Sequence, residues 1–127
     1  MTQKIIEIFS SFSVDDLDKA KQFYGEKLGL KVEKGKMGLI IHMVGGGTIY
    51  IYPKDNHEPA SFTVLNIEVD DVDAAVDELA KNGVEFEHYD GMGQDGKGIS
   101  RGKTSGQGPD IGWFKDPAGN VIAILQR

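Results

Sequence analysis

The sequence carries an internal repeat that begins at two pairs of acidic residues. The segment Val14 to Asp18 matches the segment Val69 to Asp73, at an offset of 69 − 14 = 55 residues. In both copies a β-favouring run precedes the acidic pair, and apolar residues at helical spacing follow it. The repeat therefore restricts the chain to folds in which one strand–helix unit occurs twice.

Each copy of the repeat continues from its helix into three more strand candidates. Gly29 and Gly83 follow the helices, at the position where a left-handed residue commonly ends a helix. Strands are predicted at residues 5–12, 30–33, 39–44 and 48–52 in the first copy and at 62–69, 84–88, 110–115 and 120–126 in the second. We therefore predict an α+β fold of two tandem βαβββ modules, at residues 1–55 and 60–127, within a single domain of 127 residues.

A glycine-rich insertion distinguishes the second copy from the first. The last strands match at an offset of 123 − 50 = 73, so the second copy contains about 73 − 55 = 18 additional residues within 89–109. The insertion lacks the Gly-Lys-Ser/Thr ending of a phosphate-binding loop, and no predicted helix follows it. We interpret it as a mobile lid or a surface loop. Its basic residues Lys97, Arg101 and Lys103 either contact an anionic ligand or balance an acidic domain.

The composition excludes several classes of partner and site. The formal net charge is −6, which disfavours nucleic acid and anionic membranes as partners, because both attract clustered Lys and Arg. The sequence contains no cysteine, which excludes disulfides and thiolate metal sites. The N-terminal residues show no signal-peptide pattern, and no apolar run approaches membrane-spanning length. We therefore expect a cytoplasmic protein.

The segment Asp116 to Asn120 lies between two apolar runs and is typical of a hairpin turn. Pro117 presets the φ angle of the turn, and Gly119 tolerates the left-handed conformation. A compact turn fixes the register of the strands on either side of it. Ala123 should therefore share a face with the other odd-numbered residues of the last strand.

This turn and the apolar strand after it resemble the C-terminal signature of the vicinal oxygen chelate superfamily. That group includes glyoxalase I, extradiol dioxygenases and the fosfomycin and bleomycin resistance proteins. The doubled βαβββ order is also similar, and the resemblance spans nearly the whole chain. It implies that the two modules pair into one open, cupped mixed sheet of the glyoxalase/bleomycin resistance type. It also implies a homodimer, which the uncovered edges of a cupped sheet with only two helices favour independently.

The resemblance further implies which positions would hold the divalent metal of the family's enzymes. These positions, in the first and last strand of each module, fall on Phe9, Tyr50, Val64 and Ala123. The side chains of Phe, Val and Ala offer no oxygen or nitrogen ligand, and Tyr is a rare one. We therefore predict no metal site and no cofactor. The four residues then either fill a core or line an apolar pocket.

Aromatic residues near these positions favour an organic ligand. Tyr50 and Tyr52 share a strand face, and Trp113 should face the cup if Phe114 packs under a helix. His42 either reaches the cup as an acid–base group or lies partly solvated at a strand end. The predicted ligand-binding residues are Phe9, His42, Tyr50, Tyr52, Val64, Trp113 and Ala123, and no catalytic residue is assigned.

The sequence is compatible with two classes of function. The first is metal-independent binding of a small hydrophobic or aromatic molecule, similar to the drug-sequestering resistance proteins. The alternative is an enzyme of the lyase, isomerase or dioxygenase type, which would use a displaced metal or His42 with a tyrosine. Because the family's metal ligands are missing, we predict the first class.

Overall fold

The computed structural model describes residues 2–127 and contains two four-stranded sheets, one in each half of the chain. The chain divides into two compact units, Met1–His57 and Glu58–Arg127. Each unit follows the βαβββ order, which confirms the predicted α+β fold of two modules. None of the helices within residues 2–127 is long and apolar enough to cross a membrane.

The first unit packs one short helical segment against a four-stranded sheet. Its elements are β1 (Ser10–Val14), α1 (Leu17–Gln22), a π-helical segment (Phe23–Lys27), β2 (Lys31–Lys34), β3 (Leu39–His42) and β4 (Thr48–Pro53). The strand order is β1-β4-β3-β2, with β1 parallel to β4 and the other pairs antiparallel. Asp16 begins α1, because its side-chain oxygen accepts a hydrogen bond from the Lys19 amide at 3.0 Å.

Strand alternation gives this first sheet one buried face and one open face. Phe12 and Val14 of β1 and Ile51 of β4 are buried. The ring of Tyr24, from the π-helical segment, is completely buried and lies 6.0 Å from the Phe12 ring. Residues at the alternate positions, including Tyr50, therefore point to the open face.

The second unit repeats this arrangement with a longer helix. Its elements are β5 (Thr63–Glu68), α2 (Val72–Lys81), β6 (Ser100–Arg101), α3 (Gly102–Ser105), β7 (Asp110–Lys115) and β8 (Val121–Gln126). The strand order is β5-β8-β7-β6, with β5 parallel to β8 and the other pairs antiparallel. Asp71 begins α2 by accepting a hydrogen bond from the Ala74 amide at 3.0 Å.

The core of the second unit lies between α2 and the strands β7 and β8. The apolar stripe of α2 is buried, as are Phe114 of β7 and Ile122 of β8, which pair with each other across the two strands. The Phe86 ring meets the Phe114 ring at 5.5 Å and 68°, an edge-to-face contact. By alternation Trp113 lies on the opposite face of β7 from Phe114.

Residues 116–120 form the predicted hairpin turn. Asp116 Oδ1 accepts hydrogen bonds from the Ala118 amide at 3.0 Å and the Asn120 amide at 2.8 Å. Asp116 Oδ2 accepts a third hydrogen bond, from Asn120 Nδ2 at 3.0 Å. Gly119 has a φ of 86°, in the left-handed region that favours glycine. The turn pairs Trp113 with Ala123 across β7 and β8.

The first strand is shorter than its apolar run predicted. We expected residues 5–12, whereas β1 is Ser10–Val14. β4 begins at Thr48, and its pairing with β1 covers only Ser10 to Val14. Residues 2–9 therefore have no neighbouring strand to pair with in this sheet.

The strand predicted at residues 84–88, the second of its module in chain order, does not form as expected. Residues 84–88 form a single bridge, between Phe86 and Phe114, in place of a strand. The edge of the sheet is formed instead by β6, which comes from the glycine-rich insertion and pairs with the first residues of β7. The physical reason is Ile99, which is completely buried and so brings the residues after it alongside β7.

Candidate functional site

The open face of the first sheet carries the predicted tyrosines and His42. Tyr50 and Tyr52 are half-buried, and their rings are stacked, with centroids 6.5 Å apart and an interplanar angle of 17°. His42 ends β3 on the same face, and its Nε2 atom lies 2.9 Å from Glu33 Oε2. The structure thus brings these three predicted residues to one face, with one His42 ring nitrogen already engaged by a carboxylate.

Gly38 leaves the space that the Tyr50 ring occupies. A Cβ atom at Gly38 would lie 3.0 Å from Tyr50 Oη, and closer still to the Ile51 carbonyl oxygen. We expect Gly38→Ala to lower the free energy of unfolding, measured by urea denaturation, by about 1–3 kcal/mol, because the Tyr50 ring and the Ile51 backbone must both move. Gly96→Ala is the matched control, since a Cβ atom there meets no atom within 4 Å. Equal costs for the two variants would contradict this account.

The four positions that the resemblance related to a metal do not form a ligand set. Phe9 precedes β1 and is 57% exposed, whereas Ala123 is completely buried in β8. Val64 lies at an irregularity of β5, where the pairing register shifts between Thr63 and Leu65. Within residues 2–127, no group of three or more His, Asp or Glu is placed to hold a metal ion. The side chains present therefore do not fit the metal of the family's enzymes.

The strand register shows which first-strand residues lie opposite Tyr50 and Ala123, and the sequence analysis had not identified them. Ser11 pairs with Tyr50 in the first sheet, and Asn66 pairs with Ala123 in the second, at the repeat offset of 66 − 11 = 55. The sequence analysis had related the first-strand metal positions to Phe9 and Val64, which lie two residues before Ser11 and Asn66. A polar residue in the middle of an otherwise apolar strand is the signal that would have identified Asn66.

The second unit contains a cleft of about 480 Å³ between the glycine-rich insertion and β7. Residues 91–93, 100–102, 105 and 107–109 line it together with Ile111 and Trp113, and we call it the loop cleft. Met92, Ile111 and Trp113 supply its large apolar side chains. Its volume lies within the range of about 300–1,000 Å³ that is usual for small-molecule sites.

Trp113 forms the aromatic wall of the loop cleft. Its ring lies 5.7 Å from the Tyr89 ring at 65°, an edge-to-face contact. Partial burial of Tyr89, together with the Glu87 carboxylate, raises the pKa of the tyrosine hydroxyl. Tyr89 thus supports the Trp113 ring from outside the lining of the cleft.

Gln94 organises the beginning of the insertion. Its Oε1 atom accepts a hydrogen bond from the Tyr89 amide at 2.6 Å. Its Nε2 atom donates to the carbonyl oxygens of Glu87 at 2.8 Å and Gly98 at 2.7 Å. One side-chain amide thus joins three backbone positions at the beginning of the insertion, and the mobility of the insertion stays a prediction.

Arg101 binds two aspartates from separate segments, and we call Asp73, Asp95 and Arg101 the clasp. Arg101 Nη1 and Nη2 donate to the Asp73 carboxylate at 2.8 and 2.7 Å. Arg101 Nε and Nη2 donate to Asp95 Oδ2 at 3.1 and 2.8 Å. Lys97 Nζ lies 3.1 Å from Asp73 Oδ1 and 2.9 Å from Asp77 Oδ1. Both basic side chains are therefore engaged by carboxylates of the same unit.

The clasp lowers the pKa of both of its carboxyl groups. Hydrogen bonds from Arg101, and then from Lys97, hold the pKa of Asp73 well below its usual range. Burial alone would raise the pKa of Asp95, but hydrogen bonds from the Ile99 amide and from Arg101 lower it overall. A carboxyl whose pKa is lower in the folded state stabilises that state above its unfolded pKa of about 3.9.

We therefore expect the insertion to open in acid before the rest of the unit. The stabilisation by the clasp is complete above about pH 5 and is lost as the pH falls through the lowered pKa values. Hydrogen exchange, corrected for the intrinsic rate, should show protection at residues 95–101 falling below about pH 4 while α2 stays protected. Equal loss of protection in both segments would contradict this prediction.

The structure divides the predicted ligand-binding residues between the two units. The first unit holds Phe9, His42, Tyr50 and Tyr52, and the second holds Val64, Trp113 and Ala123. Trp113 and Ala123 are direct partners across β7 and β8. Sequence analysis missed Met92 and Ile111 as lining residues of the loop cleft. The alternation of Ile111 with Trp113 on one strand was the available signal for the second of these.

Comparison of the sequence with protein-family models identifies the family to which this fold and turn belong. Residues 7–124 match the family model of the Glyoxalase/Bleomycin resistance protein/Dioxygenase superfamily. The chain belongs to this superfamily. A comparison with curated protein sequences gave no match.

Solved structures of related proteins are similar over nearly their whole length. TnmS3, an antibiotic binding protein from Streptomyces sp. CB03234, is 26% identical with a TM-score of 0.64, and 98% of each chain is covered. A glyoxalase/bleomycin resistance protein from the same strain is 26% identical with a TM-score of 0.63, covering 93% of this chain and 97% of that one. Lactoylglutathione lyase from Agrobacterium tumefaciens is 19% identical with a TM-score of 0.65, covering 98% and 96%. This last likeness shows the fold alone.

Proposed function

We propose that the chain binds a small, neutral aromatic or hydrophobic molecule in the loop cleft, without a metal ion. The observation that carries this proposal is the position of Trp113. Its indole forms one wall of a cleft of about 480 Å³ and is only half-buried. Aromatic surface is therefore left for a ligand to cover.

The lining of the loop cleft suits a planar ligand. A ring stacked on Trp113 would add about 0.5–1.5 kcal/mol beyond the free energy of apolar burial. Met92 and Ile111 supply aliphatic walls, and Ser100 and Gln107 supply neutral hydrogen-bonding groups. The lining therefore combines apolar walls with several hydrogen-bonding groups, which can fix the orientation of a ligand.

The charges around the cleft favour a neutral ligand over an anion. Arg101 lines the cleft, but its guanidinium donates hydrogen bonds to Asp73 and Asp95. An anionic group would have to compete with two carboxylates that are already in place. The tested ligands should therefore carry no negative charge.

One of the relatives supports a binding function. TnmS3 is an antibiotic binding protein, and it is 26% identical over 98% of both chains. The resemblance related the family's metal positions to Phe9, Tyr50, Val64 and Ala123, and within residues 2–127 no group of three or more His, Asp or Glu is placed to hold a metal ion. The roles of His42, Tyr50 and Tyr52 as ligand-binding residues in the first unit stay predictions.

Fluorescence of Trp113 tests the proposal without labelling, because it is the only tryptophan. We expect phenazine, a neutral planar aromatic, to quench it saturably in the presence of EDTA, with a micromolar dissociation constant, about −8 kcal/mol. Ile111→Asn should weaken binding about tenfold by replacing an apolar wall. Val44→Asn is the control, since Val44 is fully exposed in the first unit. Quenching that never saturates would contradict the proposal.

We further propose that the chain forms a homodimer through the apolar residues before β1. Ile6 and Ile8 are 85% and 84% exposed, and Ile5 and Phe9 are also exposed. A run of large exposed apolar side chains is typical of an interaction surface. A second copy is the commonest partner for such a surface.

Light scattering should therefore report about twice the chain mass of 13.9 kDa at micromolar concentration. The double variant Ile6→Lys and Ile8→Lys should shift the protein to the monomer, because charges would then enter the interface. Met37→Lys is the control, since Met37 is 77% exposed but lies outside this segment. A monomeric parent protein would contradict the dimer.

A further inference from the structure

Arg101 belongs both to the lining of the loop cleft and to the clasp. Asp73 lies in the first turn of α2, and Asp95 lies inside the insertion. One guanidinium therefore joins α2 to the segment that forms the wall of the cleft. The planar guanidinium makes two parallel hydrogen bonds to Asp73 and still donates to Asp95, and the single ammonium group of a lysine cannot reproduce this bidentate geometry.

The clasp continues into the buried part of the insertion. Asp95 Oδ1 accepts hydrogen bonds from the Lys97 amide at 2.9 Å and the Ile99 amide at 3.0 Å. The Asp95 amide in turn donates to the Ile99 carbonyl oxygen at 2.9 Å. Ile99 is completely buried. The orientation of Asp95 is thus set by buried backbone on one side and by Arg101 on the other.

The chain after Arg101 closes tightly and forms the rest of the wall. A Cβ atom at Gly102 would lie 2.8 Å from the Gly108 carbonyl carbon, so the two ends of segment 102–109 touch. The Lys103 amide also donates to Asp110 Oδ1 at 3.1 Å, which fastens the segment to the first residue of β7. A displacement of Arg101 would therefore be passed on to the cleft wall.

We propose that Arg101 is a positioning residue for the loop cleft. By holding Asp73 and Asp95 together, it keeps the insertion in the shape that a ligand needs before any ligand arrives. This inference rests on the proposed function of the loop cleft. It assigns Arg101 the role of preorganising the site, where its charge alone had suggested contact with an anion.

Removing the Arg101 side chain should increase local opening of the insertion and weaken ligand binding more than it lowers the global free energy of unfolding. The side chains of Arg101, Asp73 and Asp95 are 34%, 47% and 33% exposed, so solvent screens their ion pairs. Local opening of a loop costs less free energy than global unfolding. If one molecule in ten keeps the cleft formed, the apparent dissociation constant rises about tenfold.

The test compares Arg101→Met with Arg127→Met. Methionine retains an apolar stem but no donors, and Arg127 is a matched control because it makes a bidentate pair with Glu68, at 3.0 and 2.7 Å, outside the insertion. In Arg101→Met we expect the Ile99 amide to exchange about tenfold faster and acrylamide to quench Trp113 more strongly. The dissociation constant for phenazine should rise about tenfold. Arg127→Met should leave all three unchanged.

Two further variants separate positioning from a general loss of structure. Asp73→Asn should reproduce the faster Ile99 exchange, and combining it with Arg101→Met should add little, because both remove the same link. Arg101→Lys should restore the affinity only in part.

Unchanged exchange and quenching in Arg101→Met would overturn the proposal, as would equal changes in Arg127→Met. Faster Ile99 exchange in Arg101→Met, with no phenazine binding by the parent protein, would uphold the clasp and overturn only the proposed function.

Discussion

Replacement of Phe114 by alanine is expected to lower the free energy of unfolding by about 3–5 kcal/mol. Phe114 is completely buried, and its ring meets the Phe86 ring at 5.5 Å. It also pairs with Ile122 across β7 and β8, so its removal leaves a cavity in the centre of the core of the second unit. A well-packed core closes such a cavity only partly, which is why the cost exceeds simple transfer.

Phe62 provides the matched control for Phe114. It lies in the same unit but is 69% exposed, so Phe62→Ala should change the free energy of unfolding by less than about 0.5 kcal/mol. Urea unfolding of both variants, followed by far-UV circular dichroism, measures the difference. Equal costs would show that the core is not where the structure locates it.

Replacement of Asp116 by alanine is expected to cost about 3 kcal/mol, the second largest effect. Asp116 is 4% exposed and accepts hydrogen bonds from the Ala118 amide, the Asn120 amide and Asn120 Nδ2. Asn120 is 2% exposed, so its donors would be left buried without this acceptor. Each buried group left unsatisfied costs about 1–3 kcal/mol.

Asp116→Asn serves as an intermediate variant for this prediction, and Asp55→Ala serves as its control. Asparagine retains one acceptor oxygen for the backbone amides but presents an amino group to Asn120 Nδ2, so an intermediate loss is expected. Asp55 is exposed in a turn of the first unit, and its loss should change stability by less than about 0.5 kcal/mol. If Asp116→Ala behaved like Asp55→Ala, the hairpin turn would not be held by this carboxylate.

The features that were predictable from the sequence depend on short stretches of chain. Asp71 begins α2 through a contact three residues away, and Asp116 holds its turn through contacts two and four residues away. Such spacing is visible in a sequence because residue type and local geometry are directly linked. The repeat then extended these local assignments to the order of both modules.

The features that were missed depend on contacts between distant residues. Arg101 binds Asp73, which is 28 residues away, and no local pattern marks that pair. Without this pair and the burial of Ile99, the glycine-rich insertion has the composition of a mobile loop. The register shift at Val64 was missed for the same reason, because it is set by the partner strand β8.

Ala123 shows how burial changes the design of an experiment. Ala123 is completely buried on the Trp113 face of β8, so Ala123→Glu would bury an unpaired carboxylate and destabilise the second unit. Loss of ligand binding in that variant would then report stability alone. Substitutions at Ile111, which is half-buried in the loop cleft, test ligand binding without this complication.

The central claim is that this member of the superfamily binds an aromatic molecule without a metal. Its most direct test is a calorimetric titration of phenazine into protein freed of metal with EDTA, repeated after addition of zinc and of manganese. We predict a micromolar dissociation constant that agrees within about twofold across the three samples, about 0.4 kcal/mol. Binding that appears only after a metal is added would contradict the claim.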